Sequence, residues 1–553
     1  MVKKNKFLSA VFYYCIPQLI IFAVVLYFAR DYIFAFLCNT TNTTERSIFY
    51  TLYDYTVNIG SVVLWFFISF VTIRDKRYFK LTGRNFRSDS SSFNKTYTEL
   101  VQFFTQNDPY KMNIENLPTE DWHTADGVIL CKIGDKLVKR PSDANGNLAC
   151  FGLPGSGKST CQAATSAARF NNGKCGVFAI SIKGDLLNFV KGKRKRIKVF
   201  TPDKADGSCH YNPLEGVEKM SMTERRSFVE NLSIIICPEE YGENSTFFVN
   251  GARDYFCGIV LYLLHLYDTG EKAGKLKFPE IIDTILMHNV FEITNTIHDS
   301  DCVIAGEYTN SYIGSSEKNV SGIYNHLCKN IRPFNSGALR TLFDGEGNCI
   351  SPDDLNTGDI YIDVPQDKYK IYAPAMAIII TNFLMAFMRR DDVSSNKKVV
   401  PILFLLDEAV QLNLDFGILS QAMSTLRSKK VSIFLLMQSI AQIEGRYGEA
   451  HAREIIDLCA YVSVFNAQDP KSREFFQKLI GRRKMLKRST SLSSTANKND
   501  TSGVSVTEVD EFIFEAADFG DLNVTDRKGH KQNRVLVYAN GKYILGETTP
   551  CYE

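Results

Sequence analysis

Residues 151–160 read FGLPGSGKST, and the run from Gly152 through Pro154, Gly155, Ser156, Gly157 and Lys158 to Ser159 satisfies the spacing G-x-x-x-x-G-K-[ST] in full. Glycines at these positions let successive backbone N–H groups curl around phosphate oxygens, and a helix that follows aims its positive end at them. Lys158 reaches the β/γ oxygens, and the Ser159 hydroxyl, followed by Thr160, is placed to bind Mg²⁺. The chemistry predicted here is the binding of a nucleoside triphosphate with its metal ion. A glycine loop arising by chance is the bland alternative, and the flanking residues count against it. Asn147–Phe151 reads as a short apolar strand and Thr160–Phe170 as an Ala-rich helix stopped by Asn171-Asn172-Gly173.

A second constellation lies far along the chain. The apolar run from Pro401 ends in Asp407 and Glu408. A carboxylate at the tip of a buried parallel strand can hold magnesium through water, and a neighbouring one can orient and deprotonate the attacking water. A third apolar run, Val431–Met437, ends in Gln438, where a polar side chain is placed to sense a γ-phosphate, since ligands bind at the carboxyl edge of parallel sheets. Arg427, just before that run, is either an ordinary solvated arginine or a finger reaching into a neighbouring subunit's site.

These residues need a parallel sheet to bring them together. Strand signals at Gly176–Ile182, Ile197–Pro202 and Asp359–Val364 supply more of it, whereas residues 223–335 read as helices. The predicted fold class is therefore α/β: a RecA-like P-loop NTPase domain with an inserted all-α domain, preceded by a two-helix transmembrane hairpin. The expected divisions are the hairpin at 1–80, the first part of the nucleotide-binding domain at 81–222, the helical insertion at 223–335, and the second part at 336–553. Within the last, the Ser/Thr/Asn-rich stretch 486–508 reads as a flexible loop, and the runs on either side of Asn540-Gly541 as a closing β-hairpin.

The hairpin reading rests on two apolar runs, Phe7–Ala29 and Thr56–Ile73, of the length that crosses a ~30 Å hydrocarbon core. Lys3, Lys4 and Lys6 precede the first; Arg74, Lys76, Arg77, Lys80, Arg84 and Arg87 follow the second. By the positive-inside rule both ends, and the body after them, face the cytoplasm. The first run is longer than a signal-peptide core and lacks a small-residue cleavage site. The apolar stretch within 247–270 is assigned to a core helix instead.

Composition narrows the rest. A net charge of +3 on 553 residues gives no bulk case for nucleic-acid binding, so any such contact must come from local patches. Fourteen cysteines without a CxxC pair, and eight histidines apart from them, exclude a zinc module and a disulfide scaffold. The run Lys191–Lys198, KGKRKRIK, reads as solvated surface, with contact to DNA or anionic lipid as the alternative.

The ordered set of motifs resembles the type IV secretion coupling proteins, the TraG/TraD-like membrane ATPases of conjugation. The likeness covers nearly the whole chain: the two-run anchor, FGLPGSGKST, Lys183-Gly184, YNPL at 211–214, DIYIDVP at 359–365, FLLDEAVQL at 404–412 and LLMQSIAQIEGRYG at 435–448. Many members carry Asp-Pro before the Lys-Gly, where this chain has Ser181-Ile182, and an aromatic and a proline after the Asp-Glu, where it has Ala409-Val410. The resemblance implies a homo-hexameric ring at the inner membrane that hydrolyses ATP with Mg²⁺ to drive DNA, single-stranded and relaxase-bound, into a type IV secretion channel. The relaxase and the channel subunits are then partners, alongside the lipid bilayer. It implies further that Lys158, Glu408, Gln438 and Arg427 are catalytic, with Arg427 acting between subunits, and that Ser159 and Asp407 hold the metal. The rival readings are an FtsK-like translocase and a receptor for protein effectors.

Overall fold

The computed structural model describes residues 119–548 apart from breaks at 122–125, 135, 183, 239–244, 394–398, 494–500, 521 and 526–530. The expected membrane hairpin at 1–80 lies outside the described residues.

In chain order the strands are β1 (Thr119–Asp121), β2 (Val128–Ile133), β3 (Lys136–Arg140), β4 (Asn147–Phe151), β5 (Val177–Ile182), β6 (Ile197–Phe200), β7 (Asp359–Val364), β8 (Ile402–Leu406), β9 (Val431–Met437), β10 (Cys459–Val464), β11 (Arg482–Ser493), β12 (Thr501–Phe512), β13 (Asn523–Thr525), β14 (Lys531–Ala539) and β15 (Lys542–Thr548). All but β11 and β12 join one sheet, in the order β1-β3-β2-β15-β14-β10-β4-β9-β8-β5-β7-β6, with β13 on β14. From β10 to β6 every pairing is parallel; from β10 outward to β1 every pairing is antiparallel.

The parallel strands are apolar almost throughout because both their faces are covered. Side chains alternate between two cores, as the two-residue period demands. Ala149, Phe151, Phe404, Leu406, Leu435 and Met437 face one; Leu148, Cys150, Leu403, Leu405, Phe434 and Leu436 face the other. The second core is closed by the helix after the phosphate loop, α1 (Ala164–Arg169), and by α2 (Asp185–Val190).

The first core continues into the helices between β6 and β7: α3 (Met222–Ile236), α4 (Ser245–Asp268), α5 (Phe278–Met287), α6 (Val290–His298), α7 (Val303–Thr309), α8 (Glu317–Ile331) and α9 (Gly337–Leu342). These run past residue 335, where the helical stretch was expected to stop. A reciprocal cap opens α3, with Ser221 and Glu224 each serving the other's backbone N–H. After β7 comes α10 (Tyr369–Met388), and the remaining helices are α11 (Phe416–Thr425), α12 (Ile440–Tyr447), α13 (Glu449–Asp457) and α14 (Pro470–Ile480). Among the described residues two helices, Thr246–Asp268 and Gln366–Met388, are long and apolar enough to cross a membrane, yet 67% of each apolar window is buried inside the protein. They are core helices of this fold.

Two expectations need correction. The stretch 486–508, read as a flexible loop, carries parts of β11 and β12, which pair as a separate two-stranded sheet. The basic run at 191–198 is not a uniformly solvated face either: Arg194 is buried, forming an ion pair with Asp359.

The YNPL motif is a structural latch. Tyr211 is buried and its hydroxyl accepts from Asn382 Nδ2 on α10 at 2.8 Å, while Asn212 Oδ1 accepts from the Leu214 N–H at 3.0 Å.

Candidate nucleotide site

The sheet order explains why distant residues meet. β9 lies between β4 and β8, with Phe151 opposite Met437 and Leu435 opposite Leu406. The carboxyl ends of all three strands therefore share one edge, and the Gly152 N–H donates to Met437 O at 3.2 Å across it. Ligands of parallel sheets bind at this edge.

On the β4 side, the loop turns through Gly155 (φ 77°) and Gly157 (φ 99°), backbone that only glycine adopts without strain. Pro154 and Gly155 are exposed at the tip, and Gly155 has open space around it. Lys158 is buried, its ammonium donating to Gly152 O at 2.5 Å and Leu153 O at 3.1 Å. The first turn of the following helix, Lys158–Ala163, is π-helical and carries Ser159 and Thr160.

On the β8 side, the Ser159 hydroxyl donates to Asp407 Oδ2 at 3.1 Å. Burial, with the Glu408 carboxylate beside it, pushes the Asp407 carboxyl up to about 6; Lys158 and the Ser159 hydrogen bond pull the other way. A divalent cation at this point would restore the ionised form. Glu408 occupies the left-handed region (φ 50°, ψ 43°), an uncommon and costly conformation for a side-chain-bearing residue that concentrates at functional sites. Its Oε1 accepts from Gln438 Nε2 at 2.8 Å.

The residues fit a triphosphate and its cation on observations of the site itself. Ser156 Oγ is buried without a hydrogen-bond partner among the described residues. A Cβ at Gly152 would lie 2.6 Å from that oxygen and 3.0 Å from Phe465 Cβ, so the loop has room there for backbone only. Ser159 and Asp407 bring a hydroxyl and a carboxylate to one point, a hard-oxygen pair of the kind magnesium takes.

Of the residues expected in the site, Gly152, Ser156, Gly157, Lys158, Ser159, Asp407, Glu408 and Gln438 come together here. Arg427 does not. It is exposed on the turn Leu426–Lys429 that enters β9. The seven-residue strand, roughly 20 Å long, separates it from Gln438. Three neighbours escaped the sequence reading. Tyr369 donates its hydroxyl to Asp407 O at 2.9 Å, Gln411 Nε2 to Glu408 Oε2 at 3.3 Å, and Gln442 Nε2 to Gln438 Oε1 at 3.1 Å. The spacings Glu408/Gln411 and Gln438/Gln442, three and four apart, are the only sequence signals for the last two. A cavity of about 450 Å³ lined by Tyr211, Asn212, Phe228, Asn382, Arg389 and Arg390 shares no residue with this cluster.

Comparison with known proteins adds three findings. Residues 105–515 match the family model described as type IV secretory system conjugative DNA transfer. The chain is 22% identical over 260 residues to the type IV secretion system-coupling protein VirD4 of Bartonella quintana (strain Toulouse), covering 46% of this chain and 39% of that one. It is 24% identical over 338 residues to protein VirD4 of Rhizobium rhizogenes, covering 57% and 47%. The chain thus spans less than half the length of the relatives it matches. Among solved structures, the unbound conjugative coupling protein TrwBdeltaN70 superposes with a TM-score of 0.58 at 15% identity, over 77% of this chain and 89% of that one. The plasmid coupling protein TrwB in complex with ADP and Mg²⁺ gives 0.55 at 13%, over 82% and 91%. At these identities the likeness speaks to fold alone: a mixed α/β architecture around a large, largely parallel sheet.

Proposed function

The chain belongs to the type IV secretory system conjugative DNA transfer family, and from that premise we propose that it is a membrane-anchored ATPase that pumps DNA during conjugation. It couples a relaxase-bound DNA substrate to a type IV secretion channel and works as a homo-hexamer at the bacterial inner membrane. The observation that carries the reading is the 3.1 Å approach of the Ser159 hydroxyl to Asp407, with Glu408 and Gln438 beside it.

ATP supplies the phosphoryl group, and Mg²⁺, when bound, would supply positive charge against that developing on it. The N–H groups of the loop from Gly152 to Thr160 hold the phosphates, and Ser159 and Asp407 hold the cation. Glu408 orients the attacking water and takes its proton. Gln438, one N–H already on Glu408, offers the other to the γ-phosphate. The helices between β6 and β7 form an insertion that meets the DNA-bound partner. The anchor is the pair of apolar segments before residue 80.

The test is ATP hydrolysis by the detergent-purified protein with and without single-stranded DNA. A several-fold stimulation by DNA is expected of a pump. Hydrolysis indifferent to DNA would favour the effector-receptor reading and sink this one.

Arg427 acts on a neighbour's nucleotide. Its place at the far end of β9 from Gln438 supports action between subunits rather than within one. Mixtures of Arg427→Ala and Lys158→Ala subunits, each inactive alone, are expected to regain part of the hydrolysis. Mixtures as inactive as the pure variants would remove Arg427 from that role.

A further inference from the structure

The acid expected to activate water is held from both sides. Glu408 Oε1 accepts from Gln438 Nε2 at 2.8 Å and Oε2 accepts from Gln411 Nε2 at 3.3 Å. Gln438 Oε1 in turn accepts from Gln442 Nε2 at 3.1 Å. The direction of this chain follows from its end: an ionised carboxylate only accepts, so both glutamines must turn their amide nitrogens toward it. The Gln438 oxygen then faces away from Glu408 and requires a donor, and Gln442 is that donor.

Each donor is itself anchored. Gln411 sits on the short helical turn Ala409–Leu412, and its N–H donates to Glu408 O at 2.9 Å. Gln442 stands in the first turn of α12, where its N–H donates to the capping Ser439 Oγ at 3.3 Å. The same helix start is fastened to α14, since the Ile440 N–H donates to Ser472 Oγ at 2.9 Å. Without Gln442, the Gln438 amide would be free to rotate by half a turn and place its oxygen against the carboxylate. Without Gln411, no other hydrogen-bond partner among the described residues meets Glu408 Oε2. The unusual backbone of Glu408 makes such restraint necessary, because a residue in the left-handed region persists only where its surroundings hold it there.

We infer that Gln442 and Gln411 are positioning residues for hydrolysis: Gln442 fixes which way the Gln438 amide faces, and Gln411 pins the free oxygen of the Glu408 carboxylate. This rests on the ATPase reading of the site. Both act through another residue and neither is expected to touch the nucleotide, so their loss should lower kcat and spare KM.

The experiment compares steady-state ATP hydrolysis by the full-length protein and by Gln442→Met, Gln442→Lys and Gln411→Met. Methionine matches the length of glutamine without a donor; lysine returns one. Gln442→Met and Gln411→Met are expected to lower kcat about tenfold with KM for ATP within about twofold of wild type. Gln442→Lys should recover most of the loss, and adding Gln442→Met to Gln438→Met should cost nothing further. Gln442 and Gln411 are both half-buried, so these substitutions do not empty the core, and the lysine variant separates a lost hydrogen bond from a damaged fold. Wild-type kcat in Gln442→Met, a change confined to KM, or a lysine variant as slow as the methionine one would each overturn the inference while leaving the ATPase reading standing. A wild-type protein that does not hydrolyse ATP would overturn both.

Discussion

Lys158→Ala abolishes ATP hydrolysis, with kcat reduced on the order of 10³-fold or more, and the protein melts no lower than wild type. The two halves of this expectation have different origins. Lys158 is 5% exposed, and its ammonium's hydrogen bonds run to two neutral carbonyls, Gly152 O and Leu153 O. Among the described residues no carboxylate lies within ion-pair distance of it. A buried cation in that setting is held at a cost to folding, because carbonyl dipoles replace its hydration only in part. Alanine relieves that cost, and the small cavity it leaves works in the opposite direction, so stability stays level or rises. The rate falls because a preorganised positive charge no longer meets the β/γ oxygens. Phosphate release measured beside a thermal melt reads both. Near-wild-type hydrolysis would remove the loop from catalysis, and a large drop in melting temperature would mean that the lysine serves the fold instead.

The contrast between what the chain announced and what it concealed follows from how local each signal is. The phosphate loop is legible because its glycines sit at fixed spacings, Gly155 and Gly157 for positive φ and Gly152 for close packing, a demand met within eight residues. Asp407 and Gln438 are legible because each ends an uninterrupted apolar run, and in a parallel sheet such ends gather at one edge. That β9 would lie between β4 and β8, bringing Gln438 onto Glu408, depended on pairing between segments far apart, for which the sequence carries no register signal. Gln411 and Gln442 inherit that obscurity: each acquires meaning only once its partner is in place. The hairpin of β2 and β3 was hidden for another reason. Its second strand, Lys136–Arg140, has basic residues where an apolar alternation would be sought, yet Arg140 is buried, donating through Nη1 to Ala144 O, Gly146 O and Ser432 Oγ. The ribbon of β11 and β12 shows the converse, strands built from residues whose polarity reads as loop.

Arg194 is the sharpest such case, and it carries the largest expected effect on stability. Among the basic residues of Lys191–Lys198 it alone is buried, and its guanidinium is matched at every face used. Nε and Nη2 donate to the two Asp359 oxygens at 2.5 and 2.7 Å, and Nη1 donates to Ala167 O and Phe170 O, each at 2.8 Å. Asp359 Oδ1 also accepts from the Val177 N–H at 2.9 Å. One ion pair thus joins the end of α1 to the starts of β5 and β7, and α1 continues the helix that begins at Lys158. Removing one partner leaves the other charge buried and unpaired, at a cost of about 3–5 kcal/mol. Asp359→Ala and Arg194→Ala are each expected to lose that much in denaturant unfolding. The double variant Arg194→Met with Asp359→Leu should recover part of it, because no charge remains buried. It cannot recover all, since Ala167 O, Phe170 O and the Val177 N–H would keep no side-chain partner. The single variants should also weaken ATP binding as α1 loosens beneath the phosphate loop, an effect absent from a substitution of solvated Lys195. Single variants within about 1 kcal/mol of wild type would mean that water reaches the pair, and that the basic run is the solvated face its composition suggested.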